Sequence, residues 1–359
     1  MRVPSRVLLA LLLSFFLGNS FAQDRPSWEI EEYLESYVDA YFNARYQKAA
    51  DICEGAIAAV EERFGAEDAN AAALINNLAA LYKIQKKYIE AERFYRKALA
   101  IYEKSLGLDN AYTASVWSAI GENYQARRRF NEAEASYRNA QSIIEKVSGK
   151  DSPNAGLVSG NLGLLYKEQK KYKDAEQVLS SSLQFVISGY GEGHPVLIRL
   201  AGGMGRLYEE MGQEDKAEQY YRYAWSIFKN NFYQEGASMD KALSRLKSEA
   251  NRLLSQHSDP IYKRVLNINE LYIGPWHPDA PEAISCLPML YLKQQRFVEA
   301  ENIYEDALEI MMSNLGPDHL NVARTLSDMA KFYRKMDKQD KAKEAQDKAR
   351  SIRQRNSYK

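Results

Sequence analysis

Cysteine and histidine are scarce in this chain, with two of the first and four of the second among 359 residues. Cys53 and Cys286 are too few and too far apart to build a CxxC pair, and they read as small buried apolar side chains. Three of the histidines, His194, His277 and His319, stand in linkers between apolar segments, two of them before proline. They read as punctuation at helix starts, because no second histidine or paired carboxylate lies at metal-ligand spacing. HExxH, GxSxG and phosphate-cradling glycine loops are also missing, and Gly191–Glu192–Gly193 is a turn. No nucleophile has a base beside it, so the expectation is no catalytic residue, no metal, no cofactor and no enzyme.

Net charge is missing as well. Lysine and arginine balance aspartate and glutamate at 48 each, which argues against bulk nucleic-acid binding. Long apolar runs are confined to Val7–Leu17, too short to span a bilayer. With Arg2 and Arg6 before it and Ser20–Phe21–Ala22 after it, this run reads as a secretory signal peptide over 1–22. No cysteine follows the cleavage triad, so a lipoprotein anchor is not supported, and no integral membrane segment is expected after cleavage. Removing the two arginines leaves 46 − 48, or −2. The chain is expected to be exported: periplasmic in a Gram-negative bacterium, otherwise secreted.

What the chain does have is a repeat. Leu78–Ala79–Tyr82, Ile120–Gly121–Tyr124, Leu162–Gly163–Tyr166 and Met204–Gly205–Tyr208 follow one another at a period of 42 residues. Met329–Ala330–Tyr333 repeats the pattern, preceded by the relaxed copy Leu287–Pro288–Tyr291. Nine residues after each tyrosine comes an alanine (Ala91, Ala133, Ala175, Ala217, Ala300, Ala342), commonly followed by an aromatic and then a small residue. Ile75, Leu78, Ala79 and Tyr82 have i, i+3, i+4, i+7 spacing, as do Ala91, Tyr95 and Ala98, so each unit is a pair of amphipathic helices around a short turn. Such a hairpin cannot bury its faces alone and must stack on its neighbours.

This pattern resembles the tetratricopeptide repeat, and the longer period with its Gly–Pro and His–Pro linkers is similar to kinesin-light-chain-type repeats. The resemblance implies an all-α, right-handed superhelical solenoid of about eight antiparallel hairpins. The expected organisation is a signal peptide (1–22), units one to five (23–236), a degenerate unit and candidate hinge (237–278), then units seven and eight with a capping helix (279–359). It also implies a protein or peptide partner held along the concave groove lined by the first helices. On matching positions the groove residues are Asn76, Asn77, Lys83, Asn161, Lys167, Arg199 and Arg206, with amides to bond a peptide backbone and cations to meet a carboxylate. Gly202–Gly203 would allow close approach. The resulting expectation is an exported scaffold that assists assembly or positioning of an envelope complex.

The ends differ in charge. Residues 28–68 hold 11 acids against three bases, or −8, while residues 331–359 hold 11 bases against four acids, or +7. The rival expectation is therefore a salt-sensitive homo-oligomer, a spacer joined acidic end to basic end.

Overall fold

The computed structural model describes residues 36–37, 39–232 and 280–357. The signal segment, the degenerate unit with its candidate hinge, and His277 lie outside them.

A helical stretch ending at Phe42 precedes α1 (Tyr46–Phe64). Hairpins then follow in order: α2 (Ala69–Ile84) with α3 (Tyr88–Leu106), α4 (Ala111–Ala126) with α5 (Phe130–Ser148), α6 (Pro153–Glu168) with α7 (Tyr172–Tyr190), and α8 (Leu197–Glu210) with α9 (Glu214–Phe232). After the undescribed segment come α10 (Ala280–Lys293) with α11 (Phe297–Leu315) and α12 (Leu320–Lys335) with α13 (Gln339–Ser357). The chain is an all-α solenoid.

Each boundary has a local cause. Between hairpins, Gly65, Gly107, Gly149, Gly191 and Gly316 take φ of +84 to +91°, ending the second helix where a side chain would be strained. The next first helix is then capped by Asp68, Asn110 or Ser152, whose side chain accepts a backbone N–H. His194 and His319 hold the same register, and their Nδ1 atoms accept the N–H groups of Val196 and Asn321 at 3.3 and 3.0 Å. His319 is the cap of α12, while His194 stands three residues before α8, whose own cap position is Val196. Within hairpins the turn uses a left-handed residue at a fixed place: Ala44, Lys86, Arg128, Lys170, Gly212, Gln295 and Asp337.

Packing follows the repeat. The second-helix tyrosines Tyr95, Tyr137, Tyr221 and Tyr304 are fully buried against the first helices. A Cβ built on Gly121 or Gly205 would stand 2.6 or 2.4 Å from the ring of Tyr137 or Tyr221, so the small residue of the repeat makes room for that ring.

The first-helix tyrosines do something else. Tyr124, Tyr166, Tyr208, Tyr291 and Tyr333 each donate to a glutamate on the second helix of the preceding hairpin: Glu92 at 2.6 Å, Glu134 at 3.2 Å, Glu176 at 2.7 Å, Glu218 at 3.2 Å and Glu301 at 2.8 Å. A base at the next turn joins in, as with Arg127–Glu92 at 2.6 Å and Arg296–Glu218 at 2.8 Å. Burial would raise the Glu92 carboxyl, but the Tyr124 hydroxyl and the Arg127 and Arg96 guanidiniums outweigh it and hold it below its ordinary value. Glu134, Glu218 and Glu301 are lowered by the same balance.

The Tyr291–Glu218 bond shows that α10–α11 rests directly on α8–α9 in the way each hairpin rests on its predecessor. Lys229–Asp306 at 2.6 Å and Asn314 Nδ2 to the Phe232 carbonyl at 3.0 Å complete that contact. At the far end the array returns to its start. The imidazole of His319 bonds the carbonyl of Phe42 at 2.9 Å, 277 residues away, in a buried contact. Because Nδ1 accepts from Asn321, Nε2 carries the proton and donates. Burial, helped by nearby Arg324 and opposed by the Phe42 bond, lowers the His319 pKa to about 4. Cys53 is buried, and that burial pushes its thiol pKa far up.

Candidate functional site: a polar row along the first helices

The stripe predicted to line the groove is a row of polar side chains that pair from one first helix to the next. Lys83 on α2 forms an ion pair with Glu122 on α4. Ser118, one turn earlier on α4, accepts Asn161 Nδ2 from α6 at 2.8 Å. Asn161 Oδ1 in turn accepts the guanidinium of Arg199 on α8. Arg199 also reaches back two hairpins to Glu122 at 4.0 Å. Lys83, Glu122, Ser118, Asn161 and Arg199 are therefore one cluster drawn from four helices.

The row continues on both sides of that cluster. Gln125 donates to Glu168 at 2.6 Å, Lys167 pairs with Glu210 at 3.4 Å, and Lys293 pairs with Glu209. Buried tyrosines support it from beneath, Tyr137 donating to Gln125 at 2.7 Å and Tyr221 to Glu209 at 2.8 Å. These bonds hold the groove side chains in place, because each amide or carboxylate has one partner across the seam and several have another below.

The seven predicted residues separate into groups. Lys83, Asn161 and Arg199 come together, although Asn161 is only 6% exposed and both faces of its amide are engaged. Lys167 joins the row farther along. Arg206 is half-buried on α8, two turns beyond Arg199. Asn76 and Asn77 are 2% and 0% exposed, so the structure closes both to solvent. The two glycines divide as well. A Cβ on Gly203 would meet Leu164 at 2.2 Å, making it a packing residue, whereas nothing stands within 4 Å of a Cβ on Gly202. Gly202 is itself buried, but it lies three residues after Arg199 and four before Arg206, so the room for a side chain is on the helix face of the two cations.

Sequence reasoning missed Glu122 and Ser118 as partners of the predicted residues. Opposite charges 39 to 43 residues apart (Lys83 with Glu122, Lys167 with Glu210) were the available signal, since that spacing is one repeat give or take a helical turn. Among the described residues no group of three or more His, Cys, Asp or Glu could hold a metal ion, and no helix is long and apolar enough to cross a membrane.

Family models described as tetratricopeptide repeat match residues 112–186 and 279–355, 71–112, and 198–231. No curated protein matches the chain in sequence. Several solved structures are similar to it. The Rap conjugation gene regulator of the plasmid pLS20, in complex with the Phr* peptide, is 16% identical with a TM-score of 0.50, over 86% of this chain and 85% of that one. The apo form of RapI is 14% identical with a TM-score of 0.46, over 92% and 100%. BtubC (BKLC) from P. vanneervenii is 21% identical with a TM-score of 0.45, over 55% and 89%.

Proposed function

Given that the chain belongs to the tetratricopeptide repeat family, a family of protein-interaction scaffolds that are generally not enzymes, we propose that it is exported and holds a peptide or protein segment along its first-helix row, positioning a component of an envelope complex. The observation that carries this reading is the open space over Gly202, flanked by Arg199 and Arg206 and adjoining the Lys83–Glu122–Asn161–Arg199 cluster. An extended backbone needs a place where the helix surface is thin, and groups fixed beforehand cost little entropy when they bind. A second support is chemical. The row carries cations, carboxylates and amides, so it suits a polar main chain with charged side chains better than an apolar surface. The Rap regulator was solved in complex with a peptide, and a peptide is the class of occupant proposed here.

The test uses Gly202→Trp, whose Cβ would have nothing within 4 Å, beside Arg199→Glu. Mature wild-type and variant chains are used as bait on envelope extract, with helical content checked by circular dichroism. A partner held by wild type and lost by both folded variants supports the groove. A partner held equally by all three places binding elsewhere and overturns the reading.

A further inference from the structure

One seam on the opposite face departs from the repeat. Between the second helices α7 and α9 lies an open cleft of about 430 Å³, within the size range of small-molecule sites. Ser180, Gln184, Ile187 and Ser188 of α7 line it with Tyr220 and Tyr223 of α9, over the buried Leu183. In the register of the repeat, Ile187 and Tyr223 occupy the places of Glu61 and Lys97, which form an ion pair of 2.9 Å between α1 and α3. The seam between α9 and α11 has the same pair with signs reversed, Lys229 and Asp306 at 2.6 Å. The remaining described seams keep at least one charge there (Glu103, Glu145, Lys348).

Two more charges are exchanged around the cleft. Ser180 stands where Arg96, Arg138 and Arg222 each pair with the glutamate four residues before them. Ser188 stands where Lys104 pairs with Glu67 and Lys146 with Asp109. Residues 177–191 contain no charged side chain in a chain that is 27% charged. The substitutions also fix what replaces the charges: two half-buried tyrosine rings, and exposed hydroxyls and an amide on Ser180, Ser188 and Gln184. Tyr220 is held by stacking on Tyr208 at 5.5 Å, and Tyr223 by donating its hydroxyl to the Glu192 carbonyl at 2.8 Å.

We propose that this cleft is a binding site for a neutral saccharide. Ring faces suit the C–H faces of a sugar, and uncharged donors and acceptors at the rim suit its hydroxyls without a desolvated ion to compensate. Tyrosine and the loss of charge would also suit a protein partner, but serine is depleted from protein interfaces, and here Ser180 and Ser188 replace two of the repeat's charges.

The test is saturation-transfer NMR with three neutral trisaccharides, maltotriose, cellotriose and N-acetylated chitotriose, added separately to the mature protein. Two variants accompany it. Ile187→Glu/Tyr223→Lys rebuilds the ion pair found between α1 and α3, and Ser180→Arg restores the repeat's arginine. Both put back what neighbouring units already tolerate, and circular dichroism checks that each is folded. The expected result is transfer from at least one sugar to wild type, with affinity reduced roughly tenfold or more in either variant. No transfer from any of the three, or equal transfer to wild type and folded variants, overturns the proposal. So does a wild-type chain whose Tyr220 and Tyr223 signals move with protein concentration alone, since a second copy would then be the occupant.

Discussion

A single residue in one unit can work against the pattern it belongs to. Pro288 occupies the small-residue place of the repeat, inside α10, where Ala79 and Ala330 stand in other hairpins. It is buried in a helix interior and offers no N–H to the carbonyl four residues earlier. Alanine at this place is already compatible with the packing of two other units. Pro288→Ala is therefore expected to stabilise the α10–α11 hairpin by about 1–3 kcal/mol, read as a higher urea midpoint. A lower midpoint would mean that the ring is needed for packing against α8. The left-handed turn residues, Lys86, Arg128 and Lys170 among them, show the same scale of compromise. Among the described turns glycine is found there only at Gly212, so the turn geometry comes from hairpin closure rather than from residue choice.

At the scale of elements, adjacent hairpins are joined by the tyrosine–glutamate–base contacts as well as by apolar packing. Tyr124 is the fullest case: its hydroxyl donates to Glu92 at 2.6 Å and accepts from Arg96 at 2.7 Å. Tyr124→Phe should cost about 1–2 kcal/mol, because it removes a charge-assisted bond and leaves the Glu92 carboxylate less compensated. The loss should show as a lower urea midpoint at pH 7 and shrink in acid. The sign follows from the lowered Glu92 pKa: its stabilisation is complete above the ordinary carboxylate range and is lost as pH falls through the folded value. A pH-independent loss would assign the effect to ring packing instead. The glutamates were legible in the sequence, since each directly follows the repeat's alanine in five units, from Ala91–Glu92 to Ala300–Glu301. Their partners lie 32 residues on along the chain, or 73 for Glu218, which helical periodicity within one segment does not reveal.

For the whole molecule, the buried bond between His319 and Phe42 joins the two ends of the described array. It depends on a neutral imidazole. A histidine with a folded pKa near 4 and an ordinary value near 6.5 binds its proton more readily when unfolded, so stability falls as pH drops across that window. The total is on the order of 3 kcal/mol between pH 6.5 and 4. His319→Asn can still cap α12 but neither titrates nor reaches Phe42. The variant should be less stable at pH 7 and should lose the slope between pH 6.5 and 4.5, leaving the carboxylate effects below it. An unchanged slope would assign the acid sensitivity to other groups. The contact also bears on the opposite charges of the ends, which would otherwise suggest joining one chain to another. Size measurement across a salt series distinguishes the two arrangements: a mass that falls with salt supports head-to-tail assembly, and a constant monomer removes it.

The repeat alone determined the helices, their pairing and the stacked architecture, because apolar spacing and small residues act within one unit and recur from unit to unit. It also placed His319 at a helix start, where capping is decided by a few adjacent residues. The sequence could put Lys83, Asn161 and Arg199 on one stripe, but not show that they meet at Glu122 and Ser118. It put Asn76 and Asn77 on the same stripe, and only packing showed them closed off. The opening over Gly202 and the crowding at Gly203 were likewise decided by what neighbouring helices place above each Cα. Those outcomes depend on the rotation of one hairpin against the next, and on the side chains both contribute, which no local pattern specifies. The return of His319 to Phe42 lies furthest beyond the sequence, because it depends on curvature summed over the array.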